Sequence, residues 1–177
     1  WQITLAIFAP VLCGLLTMVI PRGGILPRFS VALAGPLVSI GLLGQLVWQH
    51  GTSLGPVSQS WMPLAQLHLG YHPDALGLFF AFLVAVIGVM IVLYARGYFG
   101  PDADALYRFY PSLHLFMTAM LGVVLSDNMM LMLLFWEMTS ISSFLLIGWE
   151  RDDPAAVKKA MQAFITTGIG GLVMMGG

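Results

Sequence analysis

One acid in this sequence stands where acids are costly. Glu137 lies in the run from Asp127 to Gly148, which carries no other charge after its first residue and is long enough to cross a bilayer as a helix. At about 1.5 Å of rise per residue it falls roughly 15 Å beyond Asp127, close to the midplane of a hydrocarbon core about 30 Å thick. Ionisable side chains at that depth are rare, face a polar interior and mark ion pathways by default. The chemistry Glu137 offers is the uptake and release of a proton, or transient pairing with a cation. On a helix it shares a face with Ser140, Ile141, Phe144 and Gly148. Thr139, Ser142 and Ser143 add hydroxyls that can bond to backbone carbonyls or to water. The competing reading is a structural acid satisfied by a neighbouring helix. No Lys or Arg of this sequence sits at membrane depth, so a charge partner is expected from outside it.

Other residues could join such a site, each with a plainer alternative. His114 lies inside another apolar run, where it is either a proton carrier or a hydrogen-bonded packing residue. Asp127, with Ser126 and Asn128, reads as a helix cap, and as a candidate for the outer mouth of a pathway. Lys158 and Lys159 read as charges at a helix start, with stems long enough to snorkel toward an inner mouth. His68 and His72 have no Cys or carboxylate pattern around them and read as surface polar residues, so no metal site is expected. Gly168-Ile169-Gly170-Gly171 follows no strand and has no GKS or GKT after it, so it reads as close helix packing and no nucleotide loop. No cofactor is expected.

The elements that would carry these residues are membrane spans. The chain is 59% hydrophobic and 8% charged, where a soluble domain is nearer a quarter charged, so it reads as an integral membrane protein. A net charge of −1 gives no reason to expect a nucleic acid or a polybasic lipid contact. The single Cys13 excludes a disulfide framework within the chain. Candidate spans run over residues 2–20, 29–49, 75–95, 109–125 and 128–149, and a sixth starts near Lys159. Residues 50–73 form an exposed connection in which Leu67–His72 alternates as a short strand or hairpin. Every Lys and Arg falls in or beside the first, third or fifth connection: Arg22 and Arg28; Arg96 and Arg108; Arg151, Lys158 and Lys159. The positive-inside rule then puts the N-terminus outside. The expected fold is an all-α, polytopic transmembrane helix bundle with one short extracellular hairpin. The chain begins at Trp1 and ends within an apolar run at Gly177, as expected of a piece of something longer. It divides into a two-helix region with its outer loop, 1–73, and the start of a larger helical module, 74–177.

Several motifs carry a family resemblance. Leu115-Phe116, Met120-Leu121, Val124, Asp127-Asn128, Trp136-Glu137 and Ser143-Phe144-Leu145-Leu146-Ile147-Gly148 resemble the antiporter-like subunits shared by respiratory complex I (its L-type subunit) and the Mrp-type multisubunit cation/proton antiporters. Tyr94-Ala95-Arg96 and Ala160-Met161-Gln162-Ala163-Phe164 fit the same register, and region 1–73 is similar to the N-terminus of complex I chain 5. Phe135-Trp136-Glu137-Met138-Thr139-Ser140-Ile141-Ser142-Ser143 and the glycine-rich run at 168–171 lean toward the A-type subunit of the Mrp antiporters. There the complex I subunit has Gly before the Trp, a Val-Gly pair after the Glu, and an Arg and an Asp where this chain has Gly168 and Gly171. The resemblance implies a bundle of about fourteen helices in which Glu137 matches a relay Glu on the fifth helix, paired with a Lys on a discontinuous seventh helix beyond Gly177. It implies a subunit, with no enzyme activity of its own, that exchanges Na⁺ or K⁺ for H⁺ in the cytoplasmic (inner) membrane in company with sister membrane subunits. The alternative is a proton-translocating subunit of complex I or a membrane-bound hydrogenase. A further alternative is a purely structural subunit.

Overall fold

The structure, a computed structural model, describes residues 1–21, 24–51, 55–62, 67–100, 102–148 and 154–176. Among these, six helices follow one another: α1 (Gln2–Val19), α2 (Ile25–His50), α3 (Ala75–Phe99), α4 (Ala103–Leu125), α5 (Met129–Ile147) and α6 (Pro154–Gly176). A hairpin of β1 (Val57–Met62) and β2 (Leu67–Tyr71) joins α2 to α3. α1 to α5 are each long and apolar enough to cross a membrane. The chain is a multi-pass membrane protein built as a helix bundle.

The helix ends follow from local chemistry. The Asp74 side chain accepts the Gly77 N–H at 2.7 Å and starts α3. Asp102 accepts from Asp104 and Ala105 and starts α4, and Asn128 accepts from Leu131 and starts α5. These side-chain oxygens satisfy N–H groups that a helix start leaves free. The Asp102 cap extends α4 six residues beyond the expected span toward its N-terminus, so Arg108 lies within the helix. α3 likewise runs past Arg96 to Phe99, where Gly100 at φ +56° ends it. Asp127, expected to share in capping α5, lies just outside the helix. Asn128 takes that role.

α4 is the hub. It packs against α1, α3 and α5 and touches α2, and half of its apolar window is buried against a third for the other spans. One core layer joins α1, α2 and α3 to α4 and α5 through Ile7, Leu43, Ala81, Leu121 and Phe135. A second, around Phe29, Val92, Leu106, Tyr110 and Met117, joins α2 and α3 to α4. The Phe135 ring lies so close to Gly122 that no Cβ would fit there, and the end of the Met117 side chain lies against Gly88.

The prolines inside α1 and α2 set how these helices are tied. A proline has no N–H, so it leaves the carbonyl four residues earlier without its helical donor. Pro10 does this to Ala6, and the Ser39 hydroxyl on α2 donates to the Ala6 carbonyl at 2.7 Å. Pro36 does it to Ala32, whose carbonyl lies 2.8 Å from Nε2 of His114 on α4. The Val11 N–H, one residue after Pro10, donates to Thr118 Oγ1 on α4 at 3.1 Å.

Both ends of the bundle show the expected alternation of crossings. At one end His72 N–H donates to Leu125 O at 3.0 Å and Asp127 N–H to Gly70 O at 2.9 Å, so the α2–α3 hairpin is bonded to the α4–α5 turn. At the other, Arg28 meets the end of α1, its guanidinium 5.3 Å from the centre of the Tyr107 ring, and Arg96 lies over Phe29. Arg28, expected in or beside the first connection, lies inside α2. It is fully buried and donates to the carbonyls of Thr17, Ile20 and Pro21. The Thr17 and Ile20 carbonyls lie where α1 ends and helical donors run out, and the Pro21 carbonyl, just past the helix, also accepts from the Gly24 N–H. The Arg28 charge also opposes the negative end of the helix dipole. Arg22, Arg151 and the residues around them lie outside the described residues.

Candidate functional site

Glu137 points from α5 toward α6. The two helices run antiparallel in a fixed register that three contacts define. A Cβ on Gly148 would lie 3.3 Å from Ala160 Cβ, and the Phe144 and Phe164 rings are 5.8 Å apart. A Cβ on Gly171 would lie only 2.5 Å from Glu137 Oε1. From Gly148 to Glu137 and from Ala160 to Gly171 is the same eleven residues, so the helices stay paired for roughly 16 Å. The face expected to unite Glu137, Phe144 and Gly148 is the face that meets α6.

The glycines make room for the carboxylate. Gly171 lies under Oε1, and a Cβ on Gly168, one turn back, would lie 3.9 Å from Oε2. Any side chain at 171 would occupy the space the carboxylate fills. Beside it is an open cleft of about 540 Å³ lined by Met130, Leu133, Leu134, Glu137, Gly168, Gly171 and Leu172. Among the described residues Glu137 supplies its one ionisable group, and the rest of the lining is apolar or glycine. An isolated carboxylate in such a lining favours partners that bring charge or hydrogen bonds to it: a proton, a cation or water.

The neighbouring hydroxyls are turned elsewhere. Thr139 donates to Trp136 O at 2.6 Å, and Ser140 reaches the same carbonyl at 3.3 Å. Ser142 donates to the Met138 and Thr139 carbonyls. They bond within α5 and leave the Glu137 carboxylate to the cleft. The Trp136 indole N–H is buried with no hydrogen-bond partner among the described residues. It lies on the same side as Gly171, whose Cβ would come within 3.6 Å of Nε1. The sequence shows Trp136 as the neighbour of Glu137. Only the helix pairing shows that both touch Gly171.

The remaining candidates do not gather around Glu137. His114 is fully buried at the junction of α1, α2 and α4. Its Nδ1 is 2.6 Å from Tyr110 O and its Nε2 2.8 Å from Ala32 O. It faces away from the α5–α6 cleft, with α4 and α5 between. Asp127 sits against Gly70 of the hairpin, about 15 Å of helix from Glu137. Lys158 and Lys159 are exposed in the first turns of α6, about 14 Å or more of helix before Gly168. His68 lies on β2 and His72 just after it.

Comparison with known proteins gives a consistent set of likenesses. Residues 126–177 match the family described as NADH:quinone oxidoreductase/Mrp antiporter, TM. Residues 61–110 match the family described as NADH-ubiquinone oxidoreductase (complex I), chain 5 N-terminus. The chain is 47% identical over 118 residues to a Staphylococcus aureus protein named as the A1 subunit of a Na(+)/H(+) antiporter, covering 67% of this chain and 15% of that protein. The match therefore spans only about 15% of the length of that relative. Among solved structures, the Mrp complex from Dietzia sp. DQ12-45-1b matches with a TM-score of 0.73 at 24% identity, over 98% of this chain and 18% of the matched one. The membrane-bound sulfane sulfur reductase, an archaeal respiratory membrane complex, matches with a TM-score of 0.78 at 19% identity, over 99% and 26%. At those identities the two structures speak to the fold alone.

Proposed function

We propose, because this chain belongs to the antiporter-like family shared by NADH:quinone oxidoreductase and Mrp antiporters, that it is the N-terminal part of the A-type subunit of a multisubunit monovalent cation/proton antiporter. Sequence identity supports the antiporter branch of the family. The likeness at 47% is to a protein named for a Na⁺/H⁺ antiporter, whereas the likeness to respiratory complexes lies in the two family descriptions and in one solved structure. The chain works within a larger assembly of sister membrane subunits in the cytoplasmic membrane. Its N-terminus is outside, since Arg28, Arg96 and Arg108 gather at the end opposite the hairpin and basic connections stay inside.

The observation that carries the reading is the Glu137 carboxylate, midway along α5, set on a glycine patch and opening to a cleft. In the proposed cycle Glu137 accepts a proton at a carboxylate oxygen, which removes its charge. It releases that proton when a cation approaches, which restores the charge beside a counter-ion. The cation the family resemblance supplies is a Lys on a later helix. No bond other than O–H is made or broken, so the chain acts as a transporter component and no redox step passes through it.

The test is cation-dependent dissipation of ΔpH in everted vesicles, using the full-length protein in complex with its sister subunits. Glu137→Ala is expected to abolish exchange in an assembled complex, and Glu137→Asp to keep part of it. Normal exchange by both variants would make Glu137 a packing acid and end the relay reading.

A further inference from the structure

We propose that His114 is a proton-binding site, separate from Glu137, whose charged form is held between the carbonyls of Ala32 and Tyr110 and whose loading tightens the junction of α1, α2 and α4. The proposal rests on a count of donors and acceptors. A neutral imidazole has one N–H donor and one bare nitrogen that accepts, whereas an imidazolium has two donors. Both His114 nitrogens face carbonyl oxygens, at 2.6 and 2.8 Å, and a carbonyl can only accept. Neutral His114 satisfies one of these contacts and turns a lone pair on the other. The imidazolium satisfies both, with charge-assisted bonds about twice as strong as neutral ones.

The two carbonyls are not equivalent. The helical N–H of His114 itself is the regular partner of Tyr110 O, four residues earlier. Ala32 O has lost its helical donor to Pro36, so it claims the one N–H of the neutral ring at Nε2. The bare nitrogen is then Nδ1, and the incoming proton goes there, facing Tyr110 O. The ring has little freedom to turn away. A Cβ on Gly14 would lie 2.8 Å from His114 Cβ, and one on Gly35 would lie 2.9 Å from Cδ2 and 3.0 Å from Nε2. Both glycines are needed for the ring to fit, and together they fix its plane against the two acceptors.

Among the described residues no side-chain counter-ion competes for this role. The titratable side chains on α1 and α2 are Cys13, Arg28 and His50. Arg28, one turn from Ala32, is engaged on the carbonyls that end α1. On α4 the nearest are Tyr110, Arg108 and Tyr107, and Asp104 is ten residues away. Of the helices packed on α4, α3 brings Tyr94, Arg96 and Tyr98, with Arg96 at the Phe29 end, and α5 brings Glu137, turned to α6. Carbonyl dipoles alone hold the charge. A cleft of about 340 Å³ lies beside the junction, lined by Val11 and Pro111 together with Arg108 and Ser112.

The site stands or falls apart from the antiport reading, because its readout is the ring's own protonation. The experiment is solid-state NMR of ¹⁵N-histidine in the full-length protein, in complex with its sister subunits in lipid vesicles, from about pH 5 to about pH 9. His114 is identified by difference from His114→Asn. Pro36→Ala, which returns a helical donor to Ala32 O, shifts the same resonance and identifies it if the Asn variant fails to assemble. The expected result is a ring with one bare nitrogen at high pH and two protonated nitrogens at low pH, Nδ1 being the one that changes. In Pro36→Ala the proton affinity falls several-fold as Ala32 O is drawn back into its own helix. One bare nitrogen at every pH in the wild type would overturn the proposal and leave His114 a fixed structural hydrogen bond.

Discussion

Substitution of Gly171 by Ala isolates the position of the Glu137 carboxylate from its presence. A methyl there would lie 2.5 Å from Oε1 and 3.3 Å from Trp136 Cδ1. The first distance is shorter than non-bonded contact by something approaching 1 Å, and the second is tight but tolerable. Since Oε1 is the end of a flexible side chain, the least costly response is for the carboxylate to swing aside. An off-rotamer shift of that kind costs about 0.5–1.5 kcal/mol, too little to separate α5 from α6. Displacing a reacting group by about 1 Å can cost up to about a hundredfold in rate. Gly171→Ala is therefore expected to assemble normally and to lose between about tenfold and about a hundredfold of cation-dependent ΔpH dissipation. Two controls bracket it. Gly168→Ala puts its methyl 3.9 Å from Oε2, an ordinary contact, and should exchange like the wild type. Gly122→Ala drives its methyl into the buried Phe135 ring and should lose assembly instead of rate. Wild-type exchange by an assembled Gly171→Ala complex would refute the idea that the glycine patch sets the carboxylate.

Two further predictions concern the ties between helices. Ser39→Ala leaves the Ala6 carbonyl bare in apolar surroundings and should cost about 1–3 kcal/mol in equilibrium unfolding from mixed micelles. In a Pro10→Ala background, where residue 10 regains its N–H, the same change should cost far less, a coupling that a double-mutant cycle reads directly. Arg28→Lys keeps the charge but replaces a fork that reaches three carbonyls with a single ammonium. It should lower the temperature at which the complex dissociates in detergent, and Arg28→Leu should lower it further.

The sequence carries much of this architecture because a bilayer simplifies the grammar. Backbone groups in lipid must bond internally, so long apolar runs have few folds open to them. Asp127-Asn128 marked the start of α5 and Leu67–His72 marked β2 for the same local reasons that the structure displays. Glu137 was legible from depth alone, and the face it shares with Phe144 and Gly148 from helical periodicity. The use of that face was not legible, because the register against α6 depends on three contacts between different helices. Arg28 reads as a charge of the first connection until the fold brings the end of α1 to it. His114 reads as a lone histidine because its partners, Ala32 and the glycines at 14 and 35, lie on two other helices. A signal did exist there: Pro10 and Pro36 each announce a carbonyl without a donor, and Ser39 and His114 are polar residues within apolar stretches of their helices.

The proline in α2 also bears on how the bundle comes to be built. Helices leave the ribosome in order, and α1 and α2 can pair as soon as both are in the lipid. Within that pair the Ala6 carbonyl already has its donor, since Ser39 arrives with α2. The Ala32 carbonyl does not, since its partner is on α4. Until α4 is inserted, the nascent hairpin carries an exposed acceptor in hydrocarbon, a state that costs several kcal/mol. Arrival of His114 relieves it. The wait for α4 thus makes an α1–α2 pair that is incomplete by itself, a feature that favours assembly around α4 and exposes truncated or stalled chains to quality control.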